Sequence, residues 1–308
     1  MKEKQRKKRS PLKRVFTGAL VFLLIFSALS FGLVAAAHLW TFKRWDPAGT
    51  DSHPSIDYYP ELQREKVILK SGKNELCCWF YPAPEAKGIA VLAHGLYSCA
   101  DDYLYITARF AEEGYAVFAM NNTGSCESGG KSLRGLPQAV IDLDIALKYL
   151  EDREDTRALP FMLFGHSWGG YAVCAVMNYD HPNVKAVASV AGFNSSAEAS
   201  LETVRGYIGP LVYAEYPYFQ AYSRLLFGNA AFFTAADGIN KSGADFLIMH
   251  GDADATLDIE RNSVVSHKGE ITNPNARYII AEGGTHTSLL SGRLFSNILE
   301  LFNKFAAE

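Results

Sequence analysis

Residues 165–170 read Gly-His-Ser-Trp-Gly-Gly and follow an apolar run, Ala158 to Phe164. This juxtaposition constrains the chain more than any other: a short strand has to turn sharply into a helix with a serine at the apex. Such a turn pushes the hydroxyl clear of the backbone. It also strains the main chain and crowds the flanking positions, where glycines at 165 and 169 leave room. Ser167 is therefore the candidate nucleophile. An ordinary glycine-rich turn has the same local residues, so the rest of the chain has to decide between the two.

The remaining pattern alternates strand and helix. Lys66 to Leu69 and Leu76 to Tyr81 read as strands joined by the turn Ser71-Gly72-Lys73-Asn74. The continuous apolar run Gly88 to Ala93 reads as a buried parallel strand and Tyr115 to Met120 as the next, with further strands at Phe161 to Phe164, Val184 to Val190, Ala244 to Met249 and Arg277 to Ile280. Helices are expected over Asp101 to Glu113, Leu136 to Leu150, Trp168 to Asn178 and Leu289 to Phe305. Alternation of this kind implies an α/β fold with a mostly parallel, doubly wound sheet. Residues 193–240 are too long for a simple connection and rich in aromatic side chains. They read as an inserted helical cap. Tyr213, Tyr216, Tyr218 and Phe219 are its candidate substrate-binding residues, because pockets are lined mainly by apolar and aromatic groups.

The net charge of -3 is too small to imply a nucleic-acid partner, but it conceals an asymmetry. Residues 1–14 are strongly basic, and residues 15–42 contain no Asp, Glu, Lys or Arg. A span of 28 residues exceeds the about 20 needed to cross a bilayer core. A basic flank before the span predicts a cytoplasmic N-terminus, with the rest of the chain on the far side. Ala35-Ala36-Ala37 would suit a signal-peptidase site in a secreted form. A cleavable apolar region is usually about 7–15 residues, so the length favours an uncleaved signal anchor. Residues 43–63 then read as a linker, and residues 64–308 as the globular domain.

A serine nucleophile needs a base, an orienting acid and donors for an oxyanion. The strand ending at Met249 runs into His250-Gly251-Asp252-Ala253-Asp254, and the strand ending at Ile280 runs towards Gly283-Gly284-Thr285-His286. An acid and then a histidine thus follow the serine, each just past a strand end, in the order expected of one fold type. The backbone N–H of Trp168 is the expected first oxyanion donor. The five cysteines make no ligand-spaced cluster with histidine, so no metal is indicated.

With Ala93-His94-Gly95, these signatures resemble the α/β-hydrolase superfamily, and within it the monoacylglycerol lipase and serine aminopeptidase-like group. The resemblance spans the chain after about residue 64. It implies Ser167, Asp254 and His286 as a catalytic triad, and the N–H of Leu96 as the second oxyanion donor. The stretch Asn121 to Gly130 departs from the group, lacking its usual charges. The expected function is hydrolysis of a small-molecule or lipid ester by a membrane-anchored serine hydrolase, without a metal or organic cofactor. An aminopeptidase would need a carboxylate for the substrate amine, for which Glu198, Glu202 and Glu215 are available. Acyl transfer to an alcohol and a non-catalytic binding role are the remaining alternatives. Cys99 and Cys126 lie in loops after strands that neighbour one another in this fold, a possible disulfide in an exported domain. His94 and His250 are expected to brace loops, and His181 to lie in a surface loop.

Overall fold

The computed structural model describes residues 11–47, 54–290 and 292–306. Most of the basic segment and the middle of the expected linker lie outside these. The chain opens with a long helix, α1 (Pro11–Thr41). An antiparallel hairpin follows, β1 (Glu65–Ser71) and β2 (Asn74–Tyr81). Alternation then begins with β3 (Ile89–Ala93), α2 (Leu104–Glu112), β4 (Ala116–Met120), α3 (Gln138–Asp152), β5 (Phe161–His166), α4 (Trp168–Ala175) and β6 (Val184–Val190). Three helices, α5 (Ser196–Ile208), α6 (Val212–Phe227) and α7 (Ala235–Lys241), intervene before β7 (Asp245–Gly251), β8 (Ala276–Ala281) and α8 (Arg293–Ala306).

The strands form one sheet in the order β1-β2-β4-β3-β5-β6-β7-β8, parallel from β4 to β8. Burial on both faces explains the continuous apolar runs. In β3, Ile89, Val91 and Ala93 belong to one core and Ala90 and Leu92 to the other. The chain leaves β3 towards β4 on one side and returns to β5 on the other. The loops after β3 and β5 therefore diverge from a single crevice at the C-terminal edge, where open α/β sheets place their sites.

Several boundaries differ from the sequence expectation. The helix expected from Asp101 begins as a 3-10 turn, Ala100–Tyr103, because the Asp102 carboxylate turns back to the N–H of Cys99 at 3.0 Å. The helix after Ser167 is α-helical only to Ala175 and tightens to 3-10 over Val176–Asn178. The C-terminal helix starts at Arg293 rather than Leu289, since Gly292 at φ 66° separates it from a short turn at Ser288–Leu290. His181 is a correction of a different kind. It is buried rather than at the surface, and sits between the carboxylates of Asp144 (3.3 Å) and Glu151 (3.1 Å).

The residues after α1 are docked on the domain. Lys43 and Trp45 pair with Ser132 and Ser125. The Arg44 guanidinium donates to the carbonyls of Ser128 (2.7 Å), Gly130 (3.0 Å) and Cys126.

Candidate active site

The turn at Ser167 has the strain its sequence implies. Ser167 has φ 57° and ψ -114°, a left-handed conformation that costs a non-glycine residue free energy. It is held by its own N–H bonding to Val190 O (2.8 Å) and by its carbonyl accepting from Tyr171 N (3.1 Å). A Cβ at Gly165 would overlap the backbone of Gly169, and one at Gly169 would overlap the carbonyl of Ala93. The two motif glycines thus let β5, α4 and the end of β3 approach closely.

The loop after β3 lies against Ser167. A Cβ built on Gly95 would stand 3.6 Å from the Ser167 Cβ. Leu96 follows, half-buried, then Tyr97 at φ 55°. His94 is fully buried and braces this loop, as expected. Its Nδ1 donates to Gly95 O (2.7 Å), and its Nε2 accepts from Asn122 N (3.0 Å). Burial pushes its pKa down to about 4, so it stays neutral. On the other side of the turn, Trp168 opens α4 and is buried, its indole N–H donating to Leu136 O at 2.7 Å.

The candidate acid and base come together from the loops after β7 and β8. His286 Nδ1 donates to Asp254 Oδ2 at 2.7 Å. Asp254 Oδ1 accepts from Thr256 N (2.8 Å) and Leu257 N (2.9 Å). Burial raises the Asp254 pKa, but the Leu257 N–H and the His286 partner outweigh it, and the net shift is downward. Asp254 is thus a carboxylate suited to orient an imidazole. Asp252 is exposed and is occupied with the N–H of Gly283 at 2.7 Å. His250 braces the acid loop, with Nε2 donating to Leu257 O at 3.0 Å.

Two residues of the candidate site escaped the sequence reading. Tyr103 and His166 link the loops. Gly95 N donates to Tyr103 Oη (3.1 Å), which donates to His166 Nδ1 (2.8 Å). His166 Nε2 in turn donates to His286 O (2.9 Å). The signal for His166 was present, because it occupies the variable position directly before the nucleophile. For Tyr103 there was none, since it is one aromatic residue in a helical turn.

The expected substrate-binding residues divide. Tyr216 and Phe219 stack on one another within α6, with centroids 6.4 Å apart. Tyr213 is exposed near Arg205. Tyr218 points at α1, its hydroxyl 3.0 Å from Ser27 Oγ, with its ring against Phe26. Cys99 and Cys126 are brought together without a disulfide. The Cys126 thiol is hydrogen-bonded to Cys99, and that bond, with burial, raises its pKa.

A family model for serine aminopeptidases of the S33 type matches residues 84–220. Over 96 residues, 30% of this chain, the sequence is 35% identical to a monoacylglycerol lipase of Mycolicibacterium smegmatis, and it spans 34% of that protein's length. Among solved structures, an esterase of Pyrococcus furiosus superposes with a TM-score of 0.63 at 15% identity, covering 85% of this chain and 98% of the esterase. Est1E of Butyrivibrio proteoclasticus, solved with ferulic acid bound, gives 0.61 at 17% identity, covering 79% of this chain and all of Est1E (100%). Sheet order, the strained turn after β5 and these likenesses agree: the chain has the α/β-hydrolase fold and is similar in sequence to members of that superfamily.

Proposed function

We propose that this protein is a membrane-anchored serine hydrolase that cleaves carboxylic esters through an acyl-enzyme on Ser167. The observation that carries the reading is the His286–Asp254 pair at 2.7 Å, tied through His166 to the strained turn that holds Ser167. His286 Nε2 takes the Ser167 proton as Oγ bonds to the ester carbonyl carbon. The carbonyl oxygen becomes an oxyanion, met by the N–H groups of Trp168 and Leu96. Collapse breaks the ester C–O bond, and His286 returns the proton to the departing alcohol. Water, deprotonated by His286, then releases the acid and restores Ser167.

α1 is the anchor in this reading, since residues 15–42 are free of charge and long enough to span a bilayer. The basic residues before it place the N-terminus in the cytoplasm and the catalytic domain on the opposite side.

The lipase relative and the esterase folds favour an ester substrate. The aminopeptidase family match supports a second reading, cleavage of an aminoacyl amide. A fluorophosphonate probe should label the wild type and leave Ser167→Ala unlabelled. Equal labelling of that variant would reject Ser167. A panel of acyl esters set against aminoacyl amides separates the two substrate classes.

A further inference from the structure

We propose that the α5–α6 hairpin of the cap is inserted in the lipid bilayer beside α1, in the leaflet on the catalytic domain's side. This rests on the reading of α1 as a membrane span.

One stripe of α1 is covered and the rest is bare. Ser30, Val34 and His38 are buried, and Ser27, Phe31 and Ala35 are half-buried, at i, i+3, i+4 and i+7 spacing. Helix α6 supplies much of the cover. Tyr218 meets Phe26 and Ser27, and Glu215 Oε1 accepts from Ser30 Oγ (3.1 Å). Tyr222 meets Phe31 and His38, and Phe227 also meets His38. The contacts of Tyr218, Tyr222 and Phe227 ascend α1 from Phe26 to His38 as they ascend α6, so the two helices run in the same direction. The start of α6 and its turn from α5 therefore point towards the N-terminal end of α1.

Length decides where this contact lies. The part of α1 before its contact with Ser27 of the stripe, Val15 to Phe26, is 12 residues. That is about 18 Å of helix, against a hydrocarbon core of about 30 Å. The missing ~12 Å requires about eight further residues, to around Val34, and those carry the contacts with Tyr218, Glu215 and Tyr222. A span that includes them takes the facing part of α6 into the bilayer with it.

The surface of the hairpin suits that solvent. Between residues 203 and 214 the one charged side chain is Arg205, whose guanidinium lies 6.0 Å from the Tyr213 ring and can extend along it. Tyr207 is 85% exposed, Leu211 72% and Leu225 75%, with Val204 and Ile208 also at the surface. These apolar residues belong to the hairpin whose α6 packs on α1, and the remaining sides of α1 are bare, so lipid is the occupant that covers both.

The same placement brings the candidate site to the membrane surface. The carbonyl of Thr41, the last residue of α1, accepts from Tyr97 Oη at 2.5 Å, and Trp45 packs on the Tyr97 ring. Tyr97 is next in sequence to Leu96. The last two turns of the helix, about 10 Å beyond Val34, thus lead from the bilayer to the proposed oxyanion loop, a short path for an ester dissolved in lipid.

The test uses the full chain in phosphatidylcholine–phosphatidylglycerol vesicles whose acyl chains carry nitroxide quenchers. A fluorescent amino acid is placed in turn at Leu24, Leu211 and Lys185, all exposed; Lys185 lies at the opposite edge of the sheet. Severalfold quenching at Leu24 and Leu211, with none at Lys185, is the expected result. Quenching at Leu24 but not at Leu211 overturns the insertion and leaves the anchor standing. No quenching at Leu24 overturns the anchor and the insertion together.

Discussion

His166 Nε2 donates to the main-chain carbonyl of His286 at 2.9 Å, while its Nδ1 accepts from Tyr103 Oη at 2.8 Å. The residue before the proposed nucleophile therefore holds the base loop on one side and, through Tyr103 and Gly95, the oxyanion loop on the other. Three loops from β3, β5 and β8 are thus set relative to one another by two buried side chains. Burial first, and then the neighbouring His286, lower the His166 pKa to about 4, against the pull of its bond to the His286 carbonyl. A neutral ring has one donor and one acceptor, as this relay needs.

Tyr103→Phe should expose the value of that relay. It leaves His166 Nδ1 without its donor and Gly95 N–H without its acceptor, with the ring volume kept. A small loss of alignment is expensive in catalysis, so kcat should fall about 10- to 100-fold while KM changes little. Steady-state kinetics on a soluble aryl ester measures both. An unchanged kcat would remove Tyr103 from the positioning role.

The two aspartates of the β7 loop should behave differently. Asp254→Asn keeps the shape but removes the carboxylate that faces His286, and should reduce kcat by about 10⁴-fold. Asp252→Asn alters a solvent-exposed contact with Gly283 and should leave kcat within about threefold, since surface changes of this kind are usually small. Equal effects in the two variants would contradict the assignment of Asp254.

Acid should destabilise the fold through buried histidines. His94 and His166 have pKa values pushed down to about 4 by burial, against an unfolded value of 6.5. Below pH 6.5 the unfolded chain binds protons that the folded chain refuses. Stability is therefore full above about 6.5 and declines as pH falls towards about 4, by roughly 3 kcal/mol for each histidine. Asp254, whose pKa is lowered, adds to the loss only below the ordinary carboxylate range. Thermal melts from pH 7.5 to 4.5 should show a falling Tm, and a flat profile would count against neutral burial of both rings.

Gly169→Ala should fail where Gly243→Ala succeeds. A Cβ at 169 would overlap the Ala93 and His94 carbonyls, backbone atoms that cannot rotate away, whereas one at 243 meets open space. The first should cost at least about 3 kcal/mol, and the second should be near neutral. Urea denaturation of the two proteins reads the difference.

The amino-acid sequence by itself carried the fold class, the proposed nucleophile, and the placing of an acid and then a histidine just past later strand ends. These rest on short-range physics: apolar runs of strand length, glycines where a turn crowds the backbone, and polar residues just past strand ends. The resemblance proposed Asp254 over Asp252, and in the structure Asp254 is buried against His286 while Asp252 is exposed. Only the tertiary structure joined Tyr103 to His166 and buried His181 between two carboxylates, because these contacts unite residues far apart in the chain. Nor could spacing along the chain assign a direction to the aromatics of the cap. Tyr218 lies 191 residues from Ser27, yet their hydroxyls meet at 3.0 Å. An amphipathic pattern says which face of a helix is buried, while packing alone decides what buries it.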